Sequence, residues 1–196
     1  MSDVAKREKR KSSFFTVPNI LTLVRLCLIP VIIYVYCFKK MYSLTLLLVI
    51  LSAATDVVDG IIARHFNLVT DVGKILDPIA DKLTQLAVLI CLVTQFGWYM
   101  LFPAALLVVK EVFAGIVVLV AINKTGVVTS SVWHGKLTTV LLYGVMALHI
   151  IWYNIPPTLS YILVASCAGV MVMSAVLYAI MMFGRIDKAK NKKLDF

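Results

Sequence analysis

Residues 42–63 read YSLTLLLVILSAATDVVDGIIA, and residues 78–97 read PIADKLTQLAVLICLVTQFG. Each run matches the ~20 residues a helix needs to cross a bilayer. The first carries Asp56 and Asp59, and the second carries Asp81 with Asp77 just before it, at the ends that face the polar stretch 64–77. Asp56 and Asp59 are spaced i, i+3, and Asp77 and Asp81 are spaced i, i+4. Either spacing puts both side chains on one helix face, about 6 Å apart at Cβ. Asp77 followed by Pro78 has the pattern of an N-cap and first turn, so the third apolar helix is expected to start there, and a cap alone would also account for Asp77. A short connection makes the two helices neighbours. Four carboxylates then converge at one edge of the membrane.

Five of the ten acidic residues fall within the 26 residues from Asp56 to Asp81, the fifth being Asp71, which reads as a solvated loop residue. Carboxylates at a membrane edge are costly and mark function. Four like charges held together would repel and neutralise one another unless cations sit among them. An all-oxygen ligand set suits Mg²⁺ or Mn²⁺ rather than zinc, and such ions commonly also hold substrate phosphates. The residues between fit that chemistry. Gly60 and Ala63 keep the face beside Asp59 small, Arg64 offers a bidentate phosphate clamp, and Gly73 allows a tight turn. The competing reading of the same four carboxylates is the ion site of a transporter. Such sites lie near the bilayer midplane in repeated halves, whereas this cluster is at an edge and no repeat is visible.

Working outward, the rest of the chain has the same character. Of its 196 residues 61% are hydrophobic and 15% charged, against about 25% charged in a soluble domain. A soluble globular domain and a disordered chain are both excluded. Six apolar segments can be marked, at 17–38, 42–63, 78–97, 98–122, 132–153 and 157–184. The expected fold is all-α: a polytopic membrane protein with six transmembrane helices. One domain is expected over 1–196, with a basic juxtamembrane segment at 1–16 and a basic tail at 185–196. The first of these reads equally well as an amphipathic surface helix or as a basic tail.

Net charge is +9, and the basic residues follow topology rather than a nucleic-acid surface. Lys6, Arg7, Lys9, Arg10 and Lys11 precede the first segment, Arg64, Lys74 and Lys124 lie in alternate connections, and Arg185, Lys188, Lys190, Lys192 and Lys193 close the chain. Only Lys39 and Lys40 lie on the other side. Positive-inside orientation therefore expects both termini and the carboxylates in the cytoplasm, in the cell (inner) membrane, with an even number of spans. No cleavable signal peptide is apparent. Cys27, Cys37, Cys91 and Cys167 stand inside apolar runs without metal-site spacing and read as small buried hydrophobes.

The pattern Asp56-x2-Asp59-Gly60-x2-Ala63-Arg64-x8-Gly73-x3-Asp77-x3-Asp81 matches the signature of the CDP-alcohol phosphotransferases without a substitution. The opening Pro18-Asn19-Ile20-Leu21-Thr22-Leu23-Val24-Arg25 resembles that of phosphatidylglycerophosphate synthases and their cardiolipin synthase relatives. The resemblance implies a cytoplasm-facing polar cavity, a homodimer and a two-metal site. It implies Asp56, Asp59, Asp77 and Asp81 as metal ligands, with Asp81 also the general base. It implies Gly60, Ala63, Arg64 and Thr70 around the CDP group, and Asn19 and Thr22 near the nucleotide end.

The activity implied is transfer of the phosphatidyl group of CDP-diacylglycerol to an acceptor hydroxyl, with release of CMP. Lys110, followed by Glu111, and Lys136, in Trp133-His134-Gly135-Lys136-x2-Thr139, are the expected acceptor-binding cations. An ion pair or a snorkelling lysine is the alternative for Lys110. His134 reads as an interfacial polar residue. Two such cations favour glycerol-3-phosphate as acceptor. Lys110, Val118 and Thr138 stand where many synthases using that acceptor carry arginine, arginine and lysine, so a CMP-forming cardiolipin synthase acting on phosphatidylglycerol is the alternative.

Overall fold

The computed structural model describes residues 17–65, 71–125 and 133–192. Several side chains within these stretches lie outside the description, those of Asp59, Gly60, Ala63, Arg64 and His134 among them. The basic segment 1–16 and Thr70 lie outside it altogether.

The described residues form helices and no strand. In chain order they are α1 (Val17–Cys37), α2 (Tyr42–His65), α3 (Asp71–Phe96), a single 3₁₀ turn (Trp98–Met100), α4 (Leu101–Thr125), α5 (Trp133–Ile151) and α6 (Pro157–Lys192). A helix satisfies its backbone polar groups internally, as a chain in hydrocarbon must. Asn19–Cys37, Trp98–Val120 and Pro157–Met182 are long and apolar enough to cross a membrane. Tyr42–Asp56 and Gly135–Ile151 are apolar but shorter. Large apolar side chains face outward, with Leu47 61%, Val109 63% and Ile180 65% exposed. Such a surface would aggregate in water and is at home in lipid. The protein is membrane-embedded.

Breaks between helices have local causes. α1 ends where Lys40 takes a left-handed φ of 52° and the Met41 amide bonds the Val35 carbonyl at 3.3 Å. Gly97, at φ 103°, separates α3 from the 3₁₀ turn, a conformation that a side chain would strain. The apolar run from residue 98 therefore begins with a turn. Pro103 falls in the first turn of α4, where its missing N–H has no partner to lose. Pro157 opens α6 for the same reason.

Contacts divide the chain into two compact units, Met1–Thr94 and Gln95–Phe196. In the first, α1 packs on α2, over a core that includes Ile32, Tyr36, Val49, Leu89 and Leu92. In the second, α6 packs against both α4 and α5, burying Leu107, Met146, Ile150 and Met171. A hydrogen-bonded knot ties one end of the second unit. His149, fully buried, meets the Val145 carbonyl through Nδ1 at 2.7 Å and Ser160 Oγ through Nε2 at 2.8 Å. Tyr99 Oη lies 2.8 Å from the same Ser160 Oγ, and Phe96 stands edge-on to the imidazole. The carbonyl can only accept, so Nδ1 carries the proton and Nε2 accepts from Ser160.

Three expectations need correction. Asp77 does not cap the third helix. α3 starts at Asp71 and contains Pro78, so the helix extends into polar residues beyond its apolar stretch although the proline ring removes one backbone donor. Asp71 and Gly73 therefore belong to the first turn of α3 rather than to a loop or tight turn. The cysteines are not all buried: Cys91 and Cys167 are, Cys37 is half-buried with its Sγ 3.8 Å from that of Cys91, and Cys27 is exposed. An apolar side chain facing lipid needs no protein cover.

Candidate active site

The site is built within the first unit from α1, α2 and α3. On α1, Thr22 and Arg25 are spaced i, i+3 and so share a face. Both are buried, at 0% and 1% exposure. A guanidinium buried in an apolar helix needs a charged partner. Arg25 finds it on α2, its Nη1 lying 2.6 Å from Asp56 Oδ1. Thr22 donates its hydroxyl proton to Asp77 Oδ1 on α3. One face of α1 thus holds one carboxylate from each of the other two helices.

Asp81 has partners on its own helix. Gln85, one turn on, donates Nε2 to Oδ1 at 3.2 Å and to Oδ2 at 3.0 Å. Lys82 Nζ lies 3.2 Å from Oδ2. The charges of Asp81 and Asp77 both act on Asp56. Asp56 and Asp77 are thus tied to one face of α1, through Arg25 and Thr22. Among the described residues no three His, Cys, Asp or Glu side chains form a group spaced to hold a metal ion. The side chain of Asp59 lies outside the description.

The expected donor-binding residues divide. Asn19 is buried at 3% exposure near the start of α1, and the Thr22 hydroxyl is committed to Asp77. Gly60, Ala63 and Arg64 lie on α2, beyond Asp56 toward its C-terminal end. In the second unit, Lys110 on α4 is 14% exposed and ion-paired to the neighbouring Glu111 at 3.1 Å, while Lys136, on the first turn of α5, is exposed.

Two residues of the site had no role from the sequence, Arg25 and Gln85. A single charge eight residues into α1 was signal enough for Arg25. For Gln85 the signal was its i+4 spacing from Asp81.

The sequence profile of the CDP-alcohol phosphatidyltransferase family matches residues 15–184, spanning both units. The chain belongs to this family. Among curated proteins, this CDP-alcohol phosphatidyltransferase is similar to three named CDP-diacylglycerol–glycerol-3-phosphate 3-phosphatidyltransferase. That of Rickettsia bellii is 48% identical over 80 residues, 40% of this chain and 44% of that protein. That of Pectobacterium atrosepticum is 33% identical over 131 residues, 64% of this chain and 71% of that protein. That of Escherichia coli K12 is 36% identical over 102 residues, 50% of this chain and 56% of that protein. The matched part spans less than half the length of the first of these relatives.

Proposed function

We propose that the protein transfers the phosphatidyl group of CDP-diacylglycerol to a hydroxyl of glycerol-3-phosphate, forming phosphatidylglycerophosphate and releasing CMP. One observation carries the reading. In a chain of this family, the carboxylates at 56, 77 and 81 stand within α2 and α3, each with a polar partner: Arg25, Thr22 and Gln85. The names of the similar proteins support the choice of substrates.

The donor set consists of carboxylate oxygens, which fits Mg²⁺ or Mn²⁺. Asp56, Asp59, Asp77 and Asp81 would hold a two-metal site, which would supply positive charge against the pyrophosphate and the departing CMP. The remaining work belongs to the chain. Gly60 and Ala63 leave room for the donor, Arg64 clamps a phosphate, and Asn19 and Thr70 serve the nucleotide end, while the buried Thr22 hydroxyl holds Asp77. Asp81 takes the proton of the acceptor hydroxyl as its oxygen bonds to phosphorus and the bond to CMP breaks. Lys110 and Lys136 bind the acceptor phosphate. The protein works as a homodimer of six-span chains in the inner membrane, with both termini and the site in the cytoplasm.

A second reading, a cardiolipin synthase using phosphatidylglycerol, is favoured by Val118 and Thr138 and by the engagement of Lys110 with Glu111. One assay separates the two. The purified chain in detergent receives CDP-diacylglycerol and Mn²⁺, and CMP release is followed as each acceptor is added. Release with glycerol-3-phosphate supports the proposal, and release with phosphatidylglycerol alone replaces it by the second reading.

A further inference from the structure

Gln85 is fully buried on α3, at 0% exposure. Around it, Thr84, Ala87, Val88 and Leu89 are buried too. Its amide is fixed by chemistry: a carboxylate only accepts, so nitrogen faces Asp81 and oxygen faces away. That oxygen, Oε1, is buried and has no hydrogen-bond partner among the described residues. An orphaned buried carbonyl opposes folding, and a leucine would fill the position without it. Packing therefore does not explain a glutamine here. What the glutamine does make is a fork, with Nε2 reaching both oxygens of Asp81 at 3.2 and 3.0 Å. Contact with both oxygens restrains the carboxylate, beside the ion pair that Lys82 makes with Oδ2.

We propose that Gln85 is a positioning residue for Asp81, a neutral fork that orients the carboxylate for ligation and proton transfer. The inference rests on the role given to Asp81 under the proposed function. Partners of this kind behind a ligand typically change metal affinity or activity by about 10–100-fold when removed.

The test uses the full chain in detergent with Gln85→Leu and the isosteric Gln85→Glu, which turns an acceptor toward Asp81. Thermal unfolding is measured without metal and across a Mn²⁺ titration, and kcat and both KM values are measured at saturating Mn²⁺. For Gln85→Leu the metal-free unfolding temperature is expected at or above that of the unmodified chain. Its Mn²⁺ midpoint should rise about tenfold, and kcat should fall about tenfold with both KM values nearly unchanged. Gln85→Glu should lose at least as much. An unchanged Mn²⁺ midpoint and kcat in either variant overturns the role. A lower metal-free unfolding temperature together with higher KM values for both substrates also overturns it, since that is a packing defect. If the unmodified chain gains no stability from Mn²⁺ and releases no CMP, the proposed function fails. If the unmodified chain behaves as expected and the variants match it, only the role of Gln85 fails.

Discussion

Arg25 Nη1 lies 2.6 Å from Asp56 Oδ1, and the two side chains differ sharply in setting, the arginine 1% exposed and the aspartate 41%. The guanidinium is therefore a fixed buried cation at the floor of the carboxylate group, and Asp56 is the half that meets solvent. A rigid fork of donors suits this place better than a lysine, which would hold the carboxylate through a flexible stem.

Removing the carboxylate leaves that buried cation without its nearest counter-charge. Breaking a wholly buried pair costs about 3–5 kcal/mol, and the exposure of Asp56 brings the expected cost to about 1–3 kcal/mol. Asp56→Asn should therefore lower metal-free stability by that amount as well as abolish transfer. The double variant Asp56→Asn/Arg25→Met should be less destabilised than Asp56→Asn alone. Denaturant unfolding of the four proteins in detergent, without metal, measures the cycle.

Thr22 holds Asp77 through one hydrogen bond to a charged group. Such a bond contributes about 1.5–3 kcal/mol. Thr22→Val keeps the shape and removes the donor, so kcat/KM for CDP-diacylglycerol should fall about tenfold or more. Thr22→Ser should retain most of the activity. Steady-state CMP release by the two variants checks the difference.

Much of this site is legible in the sequence, because the spacings that place Asp56 beside Asp59 and Asp77 near Asp81 are local helical geometry. The apolar runs likewise foretell the helices, within a few residues for α2 and α5. Three things are not legible. Polarity hides the start of α3 at Asp71, since a helix can continue past its apolar stretch into polar residues. Pro78 reads as a boundary but sits inside the helix. The choice of Asp56 as partner of Arg25 is a tertiary event 31 residues away, which no periodicity encodes.

The acceptor site is tested by Lys136→Ala and Lys110→Ala. A charge-assisted phosphate contact is about twice as strong as a neutral one. Each substitution should raise the KM for glycerol-3-phosphate far more than the KM for CDP-diacylglycerol. Because Lys110 is paired with Glu111, its removal should also cost some stability, whereas removal of the exposed Lys136 should not. Equal damage to both KM values would assign the lysines a structural role. Measuring both KM values and the unfolding temperature of each variant decides.

The His149–Ser160–Tyr99 knot is expected to act on stability alone. Ser160→Ala strips the buried imidazole of its Nε2 partner, which should cost about 1–3 kcal/mol. kcat and both KM values, measured below the unfolding transition, should stay as they are in the unmodified chain. A loss of turnover without a loss of stability would contradict this assignment.

By the proposed function, the chain joins the phosphatidyl group to glycerol-3-phosphate by means of its carboxylates. Mass spectrometry of the lipid product tests it most directly, after incubation of the purified chain with CDP-diacylglycerol, Mn²⁺, and glycerol-3-phosphate and phosphatidylglycerol together. The unmodified chain should yield the mass of phosphatidylglycerophosphate, and Asp59→Asn should yield no product. Cardiolipin as the product, or phosphatidylglycerophosphate formed undiminished by Asp59→Asn, would contradict it.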